Sequence, residues 1–190
     1  STPETDALWV AGLYNETVQI TAKGGITSVD QLKGKAVCVG DQGSGTEFNA
    51  YQVLEAYGMT ADDIKVVHAN FGEASEMLKN GQIDAAFTVA GAPTTAIMDL
   101  STTKAAYLVS LDDAHIDELL AASPYYTKHV IPAGTYNGQD EDVTTVAVGA
   151  VILARNDVSE DAIYALTADI FDNAPDLISS HAKYGELSTE

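Results

Sequence analysis

Apolar positions along this chain fall into two rhythms. Short apolar runs at Ala36–Val39, Ile64–Ala69, Ile83–Val89 and Ala105–Ser110 alternate with stretches that mix apolar and polar residues. Such runs, bounded by turn residues, predict buried strands, and the stretches between them predict helices. Ser44 and Glu47 stand at capping-box spacing, so a helix is expected from there to Tyr57, stopped by Gly58. Gly72–Asn80 predicts a short helix closed by Gly81. Pro93 predicts a helix start, with the helix running to about Thr102. Ala114–Ala122 predicts a fourth helix. Strands alternating with helices imply an α/β fold with a mostly parallel sheet covered on both faces.

The flanks follow another pattern. Leu13–Ala22 and Thr145–Ala154 are strand-like and lie outside this series, ending in the polar turns Lys23-Gly24-Gly25 and Arg155-Asn156-Asp157. Thr17–Ala22 and Val148–Ala154 are expected to pair antiparallel, outside the central sheet, as a strap leading toward another lobe. Ile131–Val143 is polar and rich in turn residues. Ser159–Asn173 predicts an amphipathic helix with Ser159 as its cap and Ile163, Leu166, Ile170 and Phe171 as its apolar stripe. The division expected is residues 1–23 as hinge strand and remnant of a first lobe, 24–140 as an α/β binding lobe, and 141–190 as return strand and C-terminal helices.

Composition narrows the chemistry. The chain has 190 residues, 46% of them hydrophobic, which is enough for a real core. Its net charge is -19, with 9 basic residues and one arginine, Arg155. Phosphate contacts need clustered Lys and Arg, so nucleic acid and anionic membrane surfaces are poor partners for it. The acids are spread along the chain, which reads as solubility. The one cysteine, Cys38, falls inside an apolar run and reads as a small buried hydrophobe.

The most informative stretch is Gly40-Asp41-Gln42-Gly43-Ser44-Gly45-Thr46, a Gly-rich loop between an apolar run and a helix. Such a junction aims backbone N–H groups and the positive end of a helix dipole into one small space, the requirement for holding a carboxylate or phosphate. In open α/β sheets ligands bind outside the carboxyl ends of the strands, and the loops Ala69–Gly72 and Val89–Pro93 open at that same edge. The first loop lacks the lysine of a P-loop, and Gln42 stands where a nucleophile elbow needs glycine. His68, His115, His129 and His181 are scattered without metal-ligand spacing and read as surface or strand-end residues. Asp140-Glu141-Asp142 reads as a solvated loop, and Tyr125-Tyr126 as packing near Pro124. Asn49, one turn into the first helix, either points at the loop or caps locally. No catalytic group, metal set or cofactor motif accompanies the loops, which points to a binder and not an enzyme.

Gly25–Met59 (GITSVDQLKGKAVCVGDQGSGTEFNAYQVLEAYGM), Phe71–Ile97 (FGEASEMLKNGQIDAAFTVAGAPTTAI), Ile131–Val148 (IPAGTYNGQDEDVTTVAV) and Ile152–Phe171 (ILARNDVSEDAIYALTADIF) resemble the TAXI branch of solute receptors from tripartite ATP-independent periplasmic (TRAP) transporters. The resemblance implies a type II periplasmic-binding-protein fold, in which two lobes close on a small anionic solute. It also implies a periplasmic location and docking of the loaded receptor on a TRAP membrane permease. The solutes implied are glutamate-like amino acids and other small carboxylates.

On that pattern Ser44, Gly45 and Thr46, with Gly43, would supply N–H and hydroxyl donors, and Gln42 an amide contact. Ala90, Gly91 and Ala92 would form the opposing loop, and Tyr136 would cover the cleft. The family's first lobe runs for on the order of 90 residues before the strand matching Leu13–Ala22. Here the chain starts almost at the hinge strand, so half of the expected cleft is missing and apolar surface is expected to drive self-association. Asn15 stands where the family commonly has proline. The alternative is the effector-sensing domain of a transcription regulator, which has the same two-lobed fold.

Overall fold

The computed structural model describes residues 6–103, 106–180 and 182–188. It divides into two compact units, residues 1–15 with 149–190, and residues 16–148.

The second unit is built on a mixed sheet. In chain order its strands are β1 (Ala7–Ala22), β2 (Ala36–Cys38), β3 (Lys65–Val67), β4 (Ala85–Ala90), β5 (Tyr107–Leu108), β6 (Tyr126–Ile131) and β7 (Val143–Arg155), with β1 and β7 continuing into the other unit. The helices are α1 (Gly45–Ala56), α2 (Phe71–Lys79), α3 (Thr95–Ser101) and α4 (Asp113–Ala122). The strand order is β3-β2-β4-β1-β7-β6, with β5 pairing β1. β2 lies parallel to β3 and β4, the crossovers being made by helices as βα units require.

The flanking strands correct one expectation. β1 does not stand apart from the sheet: Thr17–Ala22 pairs antiparallel with β4, Thr17 facing Ala90 and Ala22 facing Ala85. β7 joins β1 on its other side, and β6 pairs antiparallel with β7. The Thr145 hydroxyl donates to the Val18 carbonyl at 2.6 Å and the Asn156 N–H to the Asp6 carbonyl at 2.9 Å, so β1 and β7 run antiparallel, but in a register that sets Val18 beside Thr145 and not Thr17–Ala22 beside Val148–Ala154. The sheet is therefore mixed, parallel only in β2, β3 and β4. The reason is visible in the burial of β1, whose last six residues are all buried. A strand with both faces covered belongs inside a sheet between two layers.

Alternation in β1 sorts those two layers. Val18, Ile20 and Ala22 enter the main core with Val53, Leu54, Phe87 and Ile116. Thr17, Gln19 and Thr21 face the other way and are buried too, at 0%, 1% and 3% exposure. Three consecutive buried polar positions on one face of a strand must be hydrogen-bonded or costly.

Local signals are met where local chemistry decides. Ser44, Asn70, Asp112 and Ser159 cap α1, α2, α4 and α5 (Glu160–Asp172), each side chain accepting from a first-turn N–H. Gly58 and Gly81 follow α1 and α2 with φ of 66° and 69°. Pro93 lies before the α3 cap, Thr94, so it precedes that helix and does not start it. The run at Ala105–Ser110 yields two strand residues, antiparallel to β1. β6 was not expected from the sequence. Cys38 is buried and free, as a small hydrophobe.

The first unit contains the outer halves of β1 and β7 with α5 and α6 (Ala174–Leu177). No residue of α5 is buried, and Leu166 in its expected stripe is 51% exposed. Leu8, Trp9, Val151 and Leu153 on the strands are also exposed. His181 lies outside the described residues.

Candidate functional site

The candidate site lies at the edge where β2 and β4 end and α1 begins. Gly40 follows β2 with φ +92°. A Cβ there would come within 2.8 Å of Thr46, so the close approach of loop to helix, as well as the dihedral, requires glycine. Thr46 is buried against it, while Gln42, Gly43 and Gly45 are exposed.

The loop satisfies part of its own donor set. The Ser44 N–H donates to the Asp41 carbonyl at 3.0 Å, and the Ser44 Oγ accepts from the Glu47 N–H at 3.1 Å. The Glu47 carboxylate reaches back to the Gly43 N–H at 2.6 Å, one residue before the cap itself. The Gly43 N–H and then His68, 2.7 Å from Oε1, hold the Glu47 carboxyl below its ordinary range, and the Tyr51 hydroxyl adds a third bond. At the first turn the N–H groups of Gly45 and Thr46 have no helical carbonyl to accept them.

Asn49 is turned to bracing. Its Nδ2 donates to the Gly45 carbonyl at 2.6 Å, and its Oδ1 accepts from the Tyr126 hydroxyl, which also meets Gln52 at 2.7 Å. Of the two positions left open for Asn49, this is the local one. Burial pushes the Tyr126 phenol up to about 12, so it stays a neutral donor. Tyr125, its neighbour, is 78% exposed and packs little.

The third loop is held by a separate network. The Gln19 Nε2 donates to the Ala90 carbonyl at 3.2 Å and to Thr94 Oγ1 at 2.8 Å. Thr94 Oγ1 donates to the Gly91 carbonyl at 2.9 Å. The Tyr136 hydroxyl donates to Gln19 Oε1 and accepts the Thr94 N–H at 2.9 Å. Ala90, Gly91 and Tyr136 are thus brought together, with Gln19 and Thr94 as members that sequence reasoning missed; no contact ties Ala92 into this network. Tyr136 is 5% exposed and its phenol is raised by burial, so it acts as a strut. Its separation of 117 residues from Gln19 leaves no local signal to find.

The two loops sit on adjacent parallel strands, since β2 pairs β4 at Val37–Ala85 and Cys38–Ala86. Phe48, 64% exposed on the first turn of α1, adds apolar surface beside the first loop. The arrangement offers N–H and hydroxyl donors on a rigid frame, and among the residues lining it no acid–base pair aligned on a nucleophile. Among the described residues no group of three or more His, Cys, Asp and Glu side chains is placed to hold a metal ion. No described helix is long and apolar enough to cross a membrane.

Several solved structures that resemble this chain are solute-binding proteins. A putative periplasmic sulfonate-binding protein from Methylobacillus flagellatus KT matches with a TM-score of 0.53 at 17% identity, over 90% of this chain and 44% of its own. The periplasmic aliphatic sulphonate binding protein SsuA of Escherichia coli matches with a TM-score of 0.55 at 14% identity, over 94% of this chain and 48% of its own. The alkanesulfonate-binding protein SsuA of Xanthomonas axonopodis pv. citri, solved with MOPS, gives 0.50 at 17% identity, over 94% and 52%. The chain spans about half the length of these structures, and the likeness establishes the fold, α/β and periplasmic-binding-protein-like. At the level of sequence the match is to one family over residues 2–190, and the chain belongs to the NMT1-like family.

Proposed function

We propose that this chain is a ligand-binding part of an extracytoplasmic solute receptor, which captures a small anion and hands it to a membrane permease. The observation that carries the reading is the start of α1. There Gly45 and Thr46 present two helix N-terminal N–H groups at the carboxyl edge of the sheet, beside a braced second loop. The fold shared with periplasmic binding proteins supports it.

Within this reading the solute is a small carboxylate or acidic amino acid, and the permease is of the TRAP type, as the TAXI resemblance implies. Ser44, Gly45 and Thr46 donate to the anionic group, Gln42 adds an amide, and the Ala90–Ala92 loop lines the opposite side. The magnitudes are modest. A helix dipole contributes about 0.3–1 kcal/mol at an exposed site. Each charge-assisted hydrogen bond contributes roughly 1.5–3 kcal/mol. Glu47 works against an anion, since its carboxylate already holds the Gly43 N–H. Binding by this chain is therefore weak.

The test is an amide NMR titration with glutamate, succinate and an alkanesulfonate. Saturable shifts at Gly45 and Thr46 with a carboxylate support the reading. Shifts confined to the sulfonate would reassign the solute class. No shift at either amide with any of the three would reject the site.

A further inference from the structure

We propose that a cavity of about 550 Å³ at the other end of β4 is a second binding site, which takes an organic cation: an ammonium or guanidinium group on a partly apolar body. The inference does not rest on the receptor reading above. The cavity opens beside the turn that follows β1, where Ala22 faces Ala85, whereas the candidate anion loops follow Cys38 and Ala90. Of the residues assigned to those loops and their cover, Tyr136 is the one shared.

Its volume suits a small organic molecule. One wall is apolar: Ile97 and Leu100 of α3 with Tyr107 and Leu108 of β5. Tyr107 is half exposed, so its ring is open to a ligand, and an aromatic face attracts an organic cation. The segment from Tyr136 to Val143 also lines the space; Tyr136 and Val143 pack with Ile97 and Leu108, and between them the segment carries Asp140, Glu141 and Asp142. No Lys, Arg or His is among the described residues lining the space.

That acidic segment is rigidly held. The Gln139 Nε2 donates to the carbonyls of Ile131, Pro132 and Glu141 at 3.1–3.2 Å. The Gln139 Oε1 accepts the Tyr136 N–H at 3.2 Å, and Asn137 Nδ2 ties the segment to the Ser101 carbonyl at 3.4 Å. Asp142 is occupied in accepting the Ala133 N–H at 2.8 Å. Asp140 and Glu141 remain as the carboxylates to meet a cation, in a cavity that an apolar and aromatic surface also lines. A cavity lined by apolar and anionic groups selects a ligand with an apolar body and a positive charge, and it disfavours an anion.

The test is an amide NMR titration of the chain at 0.15 M salt with phenethylammonium. 2-Phenylethanol serves as the uncharged match and phenylacetate as the anion. The expected result is saturable shifts at Thr27, Ser110 and Gly138, with affinity at least tenfold weaker for the alcohol and no binding of phenylacetate. The variant Asp140→Asn/Glu141→Gln should weaken the ammonium at least tenfold, while Asp117→Asn/Glu118→Gln, the same charge change on α4, should leave it within twofold. Equal affinity for alcohol and ammonium would overturn the proposal. So would shifts that spread over the acidic surface without saturating, or an equal loss in both charge variants. The ammonium-to-alcohol comparison uses the unaltered chain and stands even if a variant fails to fold.

Discussion

Tyr136 ties three separate pieces of chain with one oxygen, and its removal should show how such a strut is valued. Tyr136→Phe keeps the ring but leaves Gln19 Oε1 and the Thr94 N–H without their partner at a site where Gln19 is 1% exposed. Orphaning buried polar groups costs about 1–3 kcal/mol, so urea denaturation should show a loss of that size. Asp112 sets a pH dependence. Burial acts to raise it, but bonds from His115, Tyr57 and the His115 N–H prevail and bring it down to about 2. A depressed carboxylate stabilises the fold above its unfolded value and stops doing so as pH falls through its folded value. Stability should thus decline between about pH 4 and pH 2. Because the side chain is 54% exposed, solvent screening limits this part to about 1 kcal/mol or less. Asp112→Asn should flatten that part of the pH profile, read by thermal unfolding across the same range.

At the scale of elements, what could be read from the sequence is what short-range chemistry decides. Ser44, Ser159, Gly58 and Gly81 mark helix ends because a cap needs only its own turn. The place of β1 in the sheet was not legible, since pairing with β4 joins residues more than sixty positions apart. β6 escaped for a related reason: Tyr126 and Ile131 are its two fully buried positions, and between them it is exposed or half-buried. The Gly-rich loop was legible as a turn that opens a capped helix, but the back-bond from Glu47 to Gly43 was not. That bond predicts that Glu47→Gln strengthens anion binding, by removing a like charge beside Gly45, and loosens the loop slightly. Gly40→Ala should weaken both anion binding and the fold. Its Cβ would press on Thr46 and its φ would be strained, so a loss of about 1–3 kcal/mol in stability and a disturbed α1 start are expected.

At the scale of the whole molecule, charge and exposed apolar surface oppose each other. The chain carries a net charge of -19, while Leu8, Trp9, Leu153 and Leu166 stand exposed in the unit of residues 1–15 and 149–190. Apolar patches favour association, and like charge resists it at long range until salt screens it. Sedimentation should show self-association that grows with concentration and with salt; a monomer under all conditions would exclude it. The central claim, that the start of α1 holds a small anion, turns on Gly45. Proline is tolerated at the first position of a helix, and Ser44 before it is already extended at φ -78° and ψ 161°, so Gly45→Pro removes one N–H with little cost to the fold. Gly45→Ala keeps the N–H, and its Cβ meets nothing within 4 Å. The deciding measurement is the affinity of glutamate and succinate for the chain and these two variants by NMR titration. A loss of at least tenfold in Gly45→Pro with Gly45→Ala unchanged is the predicted result. Equal affinity in all three would contradict the assignment and leave the Gly-rich loop as a turn.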